Sequence, residues 1–151
     1  MILPCNIIVF VFLWINFAES FDFTGRYKLV KSDNYNEFLI AIGIPYYKRS
    51  VALRLKPEQV ISKADDGTYS LRTITQLYDN EVKFRDGVQT KWERPDGEIT
   101  TSVVNINDKK WLEKQLGRTT INVERDFNQD GMMTVKLTGN GVTTTRTYKK
   151  I

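Results

Sequence analysis

Short segments in which apolar and polar residues alternate dominate the chain from about residue 68 onward. They are rich in Val, Ile, Thr, Tyr and Phe, a composition typical of β-strands, and the clearest are Thr68–Thr75, Glu98–Ile106, Arg118–Phe127, Met132–Thr138 and Val142–Lys150. Asp-Gly dipeptides at positions 66–67, 86–87, 96–97 and 130–131 separate such segments, as does a Gly-Asn-Gly turn at 139–141. These dipeptides favour hairpin turns. The pattern therefore predicts an all-β, antiparallel up-and-down sheet closed into a barrel.

The region between residues 33 and 57 has a different period. An apolar stripe at i, i+3, i+4 and i+7 is formed by Tyr35, Phe38, Leu39 and Ile42. Asp33 is placed to cap this helix and Gly43 to end it, and a second short helix is expected over residues 45–53. Two such helices cannot form a core of their own. We therefore expect the helical pair to lie across one end of the barrel as a lid.

The first twenty residues differ in composition from the rest. An unbroken apolar run of nine residues, Ile7–Ile15, is too short to span a bilayer as a helix, which needs about 20 residues. Small residues stand at −3 and −1 of a cut before Phe21. This pattern predicts a secretory signal peptide over residues 1–20, followed by one secreted domain over residues 21–151. Cleavage would remove Cys5, the only cysteine, so the domain would depend on its hydrophobic core without a disulfide.

Composition and charge exclude several classes of function. The chain contains no histidine, which rules out Ser-His-Asp and Cys-His catalysis and His-rich zinc sites. The formal net charge of +4 is modest and mixed with acids, so binding to nucleic acid has little support. A basic cluster on and after the second helix is either a solvated face or a membrane contact; it comprises Lys48, Arg49, Arg54 and Lys56.

Arg125 stands out because it interrupts an apolar face. It alternates with Ile121, Val123 and Phe127, whereas the residues between them are polar. An unpaired buried charge is costly, so an inward Arg is expected to bind a ligand, to pair with a buried acid or to reach the barrel mouth. We expect the ligand role. Arg146 and Tyr148 also share a strand face, but periodicity alone does not say which face is inside.

Several apolar residues near these positions have two interpretations. Met133, Val135 and Leu137 alternate on the neighbouring strand, where they either line a cavity or pack in the core. Trp92 and Trp111 are expected in the core.

Three sets of residues resemble the fatty acid-binding protein family. They are the opening Gly25-Arg-Tyr-Lys-Leu-Val30 with Asn34-Tyr35 and Glu37-Phe-Leu39, then Lys56-Pro57, and the closing Thr145-Arg-Thr-Tyr-Lys149. The resemblance implies a ten-stranded antiparallel barrel capped by two helices, with a lipid inside. It also implies that Arg146 and Tyr148 face the cavity and hold a carboxylate, for which a guanidinium and a phenol are suitable donors.

The resulting expectation is a secreted, monomeric, non-catalytic carrier of long-chain fatty acids, with no cofactor and no metal. Arg125, Arg146 and Tyr148 are its predicted ligand-binding residues. A retinoic acid carrier of the same wider family and a lipocalin-like binder are the alternatives. An enzyme such as a carboxylate-pair glycosidase has less support, because the acids cluster in turns and on solvent faces.

Overall fold

Ten strands and two helices account for most of residues 19–151, the part of the chain described by the computed structural model. The strands are β1 (Gly25–Asp33), β2 (Glu58–Lys63), β3 (Tyr69–Ile74), β4 (Asp79–Phe84), β5 (Gln89–Glu93), β6 (Ile99–Asn107), β7 (Lys110–Leu116), β8 (Ile121–Phe127), β9 (Met132–Gly139) and β10 (Val142–Lys150). The helices are α1 (Tyr35–Ala41) and α2 (Tyr46–Ala52). Most of the predicted signal peptide lies outside the described residues.

All ten strands form one antiparallel sheet in the order β4-β3-β2-β1-β10-β9-β8-β7-β6-β5. Because β1 pairs with both β2 and β10, the sheet curls into a nearly closed barrel, which confirms the predicted fold class. The prediction that the sheet closes completely into a barrel was wrong. β4 and β5 do not form a ladder, and the side chain of Asn80 spans the gap by donating to the Glu93 carbonyl (3.0 Å).

The Asp86-Gly87 turn connects the two strands that border this gap. The Gly87 N–H donates to the Val104 carbonyl (2.7 Å), and the Asp86 carboxylate accepts from the Ile106 N–H (2.7 Å). The turn is therefore bonded to β6 and does not close a β4–β5 hairpin. At the other Asp-Gly turns, the predicted hairpins are confirmed, and Gly97 and Gly131 have φ of +85° and +77°, as such turns require.

The start of α1 differs from the prediction. Asn34, not Asp33, is the N-cap, with φ of +60° and no side-chain capping bond. Its amide donates to the Thr143 carbonyl (2.9 Å), which ties the beginning of α1 to β10. Asn is one of the few residues other than Gly that adopt the left-handed region, and this bond to the barrel holds Asn34 in it. The predicted end at Gly43 is consistent with its φ of +83°.

An aromatic cluster fills the end of the barrel opposite the helices. Phe23 packs against Phe127 and Trp111, with ring centroids 4.8 Å and 5.2 Å apart, and Tyr69 and Phe84 complete the group. β1 begins beside this cluster and ends just before α1. Aromatic side chains therefore fill one end of the barrel, and the helices lie at the other. Apolar burial of this kind stabilises a domain that contains no cysteine in its described residues.

The helices cover the open end, as predicted. α1 packs over β9 and β10, and Phe38 and Leu39 are its buried residues. Neither helix within residues 19–151 is long and apolar enough to cross a membrane.

Candidate ligand-binding site

A cavity of about 530 Å³ lies between the helices and the inner face of the barrel. This volume falls in the range of small-molecule sites, about 300–1,000 Å³. Much of the wall is apolar, with side chains from both helices and several strands: Phe38, Leu39, Ile42, Val51, Ile121, Val123, Val135 and Leu137. Met133, by contrast, is fully buried in the core, so the two interpretations of this strand apply to different residues.

The three predicted site residues all line this cavity. Arg125 pairs with Val135 in the β8–β9 ladder, and Val135 pairs with Arg146 in the β9–β10 ladder. The two arginines therefore lie on the same inner face, two strands and about 10 Å apart at Cα. Tyr148 follows Arg146 by two residues and is buried. The structure thus brings the predicted residues together, while their role in binding stays a prediction.

Arg146 carries a charge that no carboxylate of residues 19–151 neutralises. Its guanidinium carbon lies 4.1 Å from the centroid of the Tyr35 ring, which the sequence did not single out as a site residue. Its Nε is buried and has no hydrogen-bond partner among the described residues. The aromatic face stabilises the cation only partly, so the side chain is prepared to receive an anion.

Arg125, in contrast, has an internal counter-ion. Its Nη1 donates to a Glu113 carboxylate oxygen (2.8 Å), and both side chains are nearly inaccessible to solvent. The same carboxylate accepts from Ser102 and from Gln115, each at 2.8 Å. The expectation that the acids all lie in turns or on solvent faces was therefore wrong for Glu113. Of the three alternatives for Arg125, the structure shows pairing with a buried acid. Arg125 also lines the cavity.

Glu113 was missed because β7 has polar residues on its inward face and leucines on its outward face, unlike β8. Trp111, Glu113 and Gln115 point inward, whereas Leu112 and Leu116 face solvent. Trp111, two residues before the acid and expected in the core, was the available signal.

Two phenols of the cavity wall, the half-buried Tyr78 and the buried Tyr148, add hydrogen-bond donors. Burial, assisted by Tyr35 and Tyr148 and opposed by Arg146, raises the pKa of Tyr78 to about 12. Burial likewise raises the pKa of Tyr148. Both hydroxyls therefore keep their protons at neutral pH and can donate to a carboxylate. Tyr78 lies just before β4 in a turn that gave no sequence signal.

The cavity mouth lies under α2, beside the gap between β4 and β5. Lys48 on α2 donates to the Asp96 carbonyl in the turn after β5 (3.3 Å). Tyr46, Tyr47 and Leu77 are exposed around it, at 75%, 67% and 68% of their surface. Trp92, expected in the core, is only half-buried and lines the cavity near this mouth.

The basic cluster of α2 is not uniform. Arg49 is half-buried and donates to the Ile44 carbonyl (2.7 Å), which fixes the start of the helix. Lys48, Arg54 and Lys56 are exposed. Of the four, these three are exposed enough to meet another surface, with Lys48 also bonded to the Asp96 carbonyl.

Comparison with known proteins agrees with this geometry. No family model matches the chain. The chain is 35% identical over 127 residues to a fatty acid-binding protein of Tyrophagus putrescentiae, which covers 83% of this chain and 95% of the relative. It is 26% identical over 136 residues to cellular retinoic acid-binding protein 2 of Rattus norvegicus, covering 84% and 96%.

A solved structure shows the same fold. The Schistosoma mansoni fatty acid-binding protein in complex with arachidonic acid superposes with a TM-score of 0.81, covering 85% of this chain and 96% of that one at 24% identity. Members of this family are carriers without enzymatic activity. The lipocalin alternative is therefore wrong, as is the enzyme alternative. By sequence identity over nearly the whole described barrel, the chain belongs to the fatty acid-binding protein family.

Proposed function

We propose that this protein is a secreted, monomeric carrier that binds long-chain fatty acids non-covalently in the cavity, with the carboxylate on Arg146 and Tyr148. The observation that carries the proposal is Arg146, which faces the cavity with a buried Nε and, within the described part of the chain, no carboxylate to balance it. The apolar wall suits an acyl chain, which gains about 0.8 kcal/mol per buried methylene. Ordering the chain offsets much of that gain, so the head group selects the ligand.

Binding by Arg146 predicts a difference between acids and alcohols. Arg146→Gln should weaken binding of a fatty acid by about tenfold to over a hundredfold, because a charge-assisted hydrogen bond contributes about 1.5–3 kcal/mol. Binding of the matching alcohol, which carries no charge, should change little. Calorimetric titration of both ligands measures this, and an equal loss for both would mean that Arg146 shapes the cavity without reading charge.

Retinoic acid is the second candidate ligand, since the chain also resembles a retinoic acid-binding protein. Both ligands are carboxylates with an apolar body, so the same Arg and Tyr donors suit either one. Competition between oleate and retinoic acid for the delipidated protein ranks them. The fatty acid proposal requires oleate to displace retinoic acid at comparable concentration.

Secretion is supported by the sequence before Phe21 and by the packing after it. Glu19 and Ser20 are exposed, whereas Phe21 contacts Phe23 and Phe127, with ring centroids 5.1 Å and 6.2 Å away. A cut before Phe21 would thus leave the packed residues intact. N-terminal sequencing of protein from the medium should begin at Phe21, and recovery of full-length chain from the cytosol would contradict secretion.

The exposed residues of α2 suggest how lipid is delivered. Two tyrosines and the charges of Lys48, Arg54 and Lys56 suit a transient contact with an anionic membrane. Transfer of a fluorescent fatty acid to anionic vesicles should be faster than to neutral ones and should slow with salt, because exposed charges are screened over about 8–10 Å. Replacing the three exposed residues with Gln should abolish the difference, and Arg49 is left unchanged because it holds the helix. A rate independent of vesicle charge would contradict the contact.

A further inference from the structure

Two buried nitrogens at the end of β5, Trp92 Nε1 and Arg94 Nη1, make no hydrogen bond among residues 19–151. Trp92 Nε1 has no partner there, whereas Arg94 Nη1 has only a long ion-pair contact, 3.5 Å, with a Glu98 carboxylate oxygen. The Arg94 side chain is only 7% exposed. Both residues line the cavity. Positions i and i+2 of an extended segment point to the same side, so the two donors face one region of the cavity.

This region lies across the cavity from Arg146, the residue proposed to bind the carboxylate of the ligand. In the sheet order, β5 is five strands from β10 in one direction and, across the β4–β5 gap, five strands in the other. Arg146 on β10 and Trp92 on β5 therefore lie on opposite walls of the barrel. The bond from Lys48 to Asp96 places the donors near α2, whereas Arg146 lies beneath Tyr35 of α1.

The local charges decide which group these donors can receive. Arg94 already forms ion pairs with Asp96 and, at 3.5 Å, with Glu98. A second carboxylate on the ligand would meet these two acids, which would repel it. A neutral acceptor would meet the unpaired Trp92 Nε1 and the weakly engaged Arg94 Nη1, and it carries no charge for the two acids to repel. A buried donor without a partner among the described residues, as at Trp92, disfavours a plain methylene chain at this point.

We propose that the cavity binds fatty acids that carry a neutral oxygen function, a hydroxyl or keto group, in the part of the chain distant from the carboxylate. Trp92 Nε1 and Arg94 Nη1 donate to that oxygen. The inference rests on the proposed function, because the carboxylate on Arg146 fixes the direction in which the chain crosses the cavity. The two sites together then recognise both polar groups of one ligand.

The test compares stearate with its hydroxylated derivatives, with the hydroxyl in the middle or at the distal end of the chain. One neutral hydrogen bond changes affinity by about twofold to tenfold, so one of the hydroxylated acids should bind the delipidated protein more tightly than stearate by that factor. Trp92→Phe keeps an aromatic ring but removes the donor, and it should abolish the preference, measured as the ratio of the affinities for the hydroxylated acid and for stearate. Arg94→Lys, which keeps the charge beside Asp96 and Glu98, provides a second variant and should reduce the preference.

Trp111→Phe is the matched control. Trp111 Nε1 is also buried and has no partner among the residues that the structure describes, but Trp111 lies in the aromatic cluster and not on the wall of the large cavity. This variant should keep the preference for the hydroxylated acid. Tighter binding of stearate than of every hydroxylated acid, or a preference that survives both Trp92→Phe and Arg94→Lys, would overturn the inference while leaving the fatty acid proposal intact. Failure of stearate itself to bind would overturn the proposed function.

Discussion

Glu113 changes what a negatively charged ligand meets inside the barrel. Because Glu113 and Arg125 form an ion pair with each other, Arg146 supplies the positive charge of this region that a single ligand carboxylate can neutralise. Because Glu113 already occupies an Arg125 donor, the structure leaves Arg146 as the main charge for a ligand. Glu113 thus limits the anionic charge that the cavity accepts.

Glu113→Gln should raise the affinity for fatty acids. The amide can replace the carboxylate in size, but it leaves the charge of Arg125 uncompensated, so a ligand carboxylate would meet two positive charges. The gain should be about tenfold, the effect of one added charge-assisted hydrogen bond. Titration calorimetry with oleate measures it, and an unchanged or weaker affinity would contradict the role assigned to Glu113.

The same substitution should destabilise the protein without ligand, because breaking a buried ion pair typically costs about 3–5 kcal/mol. Thermal unfolding should show a lower midpoint that oleate largely restores. Glu124→Gln is the control. Glu124 pairs with Lys110 on the outer face of the same region, where ion pairs contribute little, and it should change neither affinity nor midpoint measurably.

The sequence predicts Arg125 well and Glu113 not at all. On β8 the apolar residues all point inward, so alternation identifies the one inward cation. On β7 two leucines face solvent and the polar residues Glu113 and Gln115 point inward, so the same rule selects the wrong face. The partner of Arg125 emerges only from the register between β7 and β8, which sequence periodicity does not determine.

At the level of secondary-structure elements, the position of the lid depends on a close approach between α1 and β9. A Cβ added at Gly139 would lie 2.7 Å from Ile42 Cγ2 and 3.4 Å from Phe38 Cε2. Gly139 therefore lets the end of α1 settle onto the barrel.

Gly139→Ala should lift the end of α1 and speed both uptake and release of ligand. Overpacking of this kind costs about 1–3 kcal/mol, so the unfolding midpoint should also fall. Stopped-flow fluorescence measures both rates. Adding Ile42→Ala removes the methyl group that clashes and should restore the slower rates, and a double variant as fast as Gly139→Ala would contradict a lid held by this contact.

Local turn chemistry predicts most of the hairpins but cannot predict which strands pair. Asp86-Gly87 has the same residues as the turns that do close hairpins, yet its hydrogen bonds go to β6. The open β4–β5 edge is a property of the whole sheet. The helical pair, in contrast, is visible from its period of apolar residues and its flanking Gly and Pro.

At the level of the whole molecule, the lack of histidine sets the pH response. No side chain of the sequence has an ordinary pKa between about 6 and 8, so stability and affinity should be nearly constant there. Above this range the ionisation of the tyrosines in the cavity wall affects stability. Tyr78 has a pKa of about 12 in the folded protein against an ordinary value of 10.0, so the unfolded chain loses this proton first.

Stability should therefore fall as pH rises from about 10 to 12, because the folded state binds more protons than the unfolded state in that window. Tyr78→Phe cannot ionise and should flatten this fall. Denaturant unfolding at a series of pH values measures it. A decline equally steep in the variant would show that other groups control alkaline unfolding.

The most direct test of the account is a crystal structure of the delipidated protein with one equivalent of oleate. We expect the acyl chain in the cavity beneath the helices, with its carboxylate within hydrogen-bonding distance of the Arg146 guanidinium and the Tyr148 hydroxyl. Glu113 should still contact Arg125. A carboxylate placed at the mouth beside Lys48, with Arg146 left facing the acyl chain, would contradict the central claim.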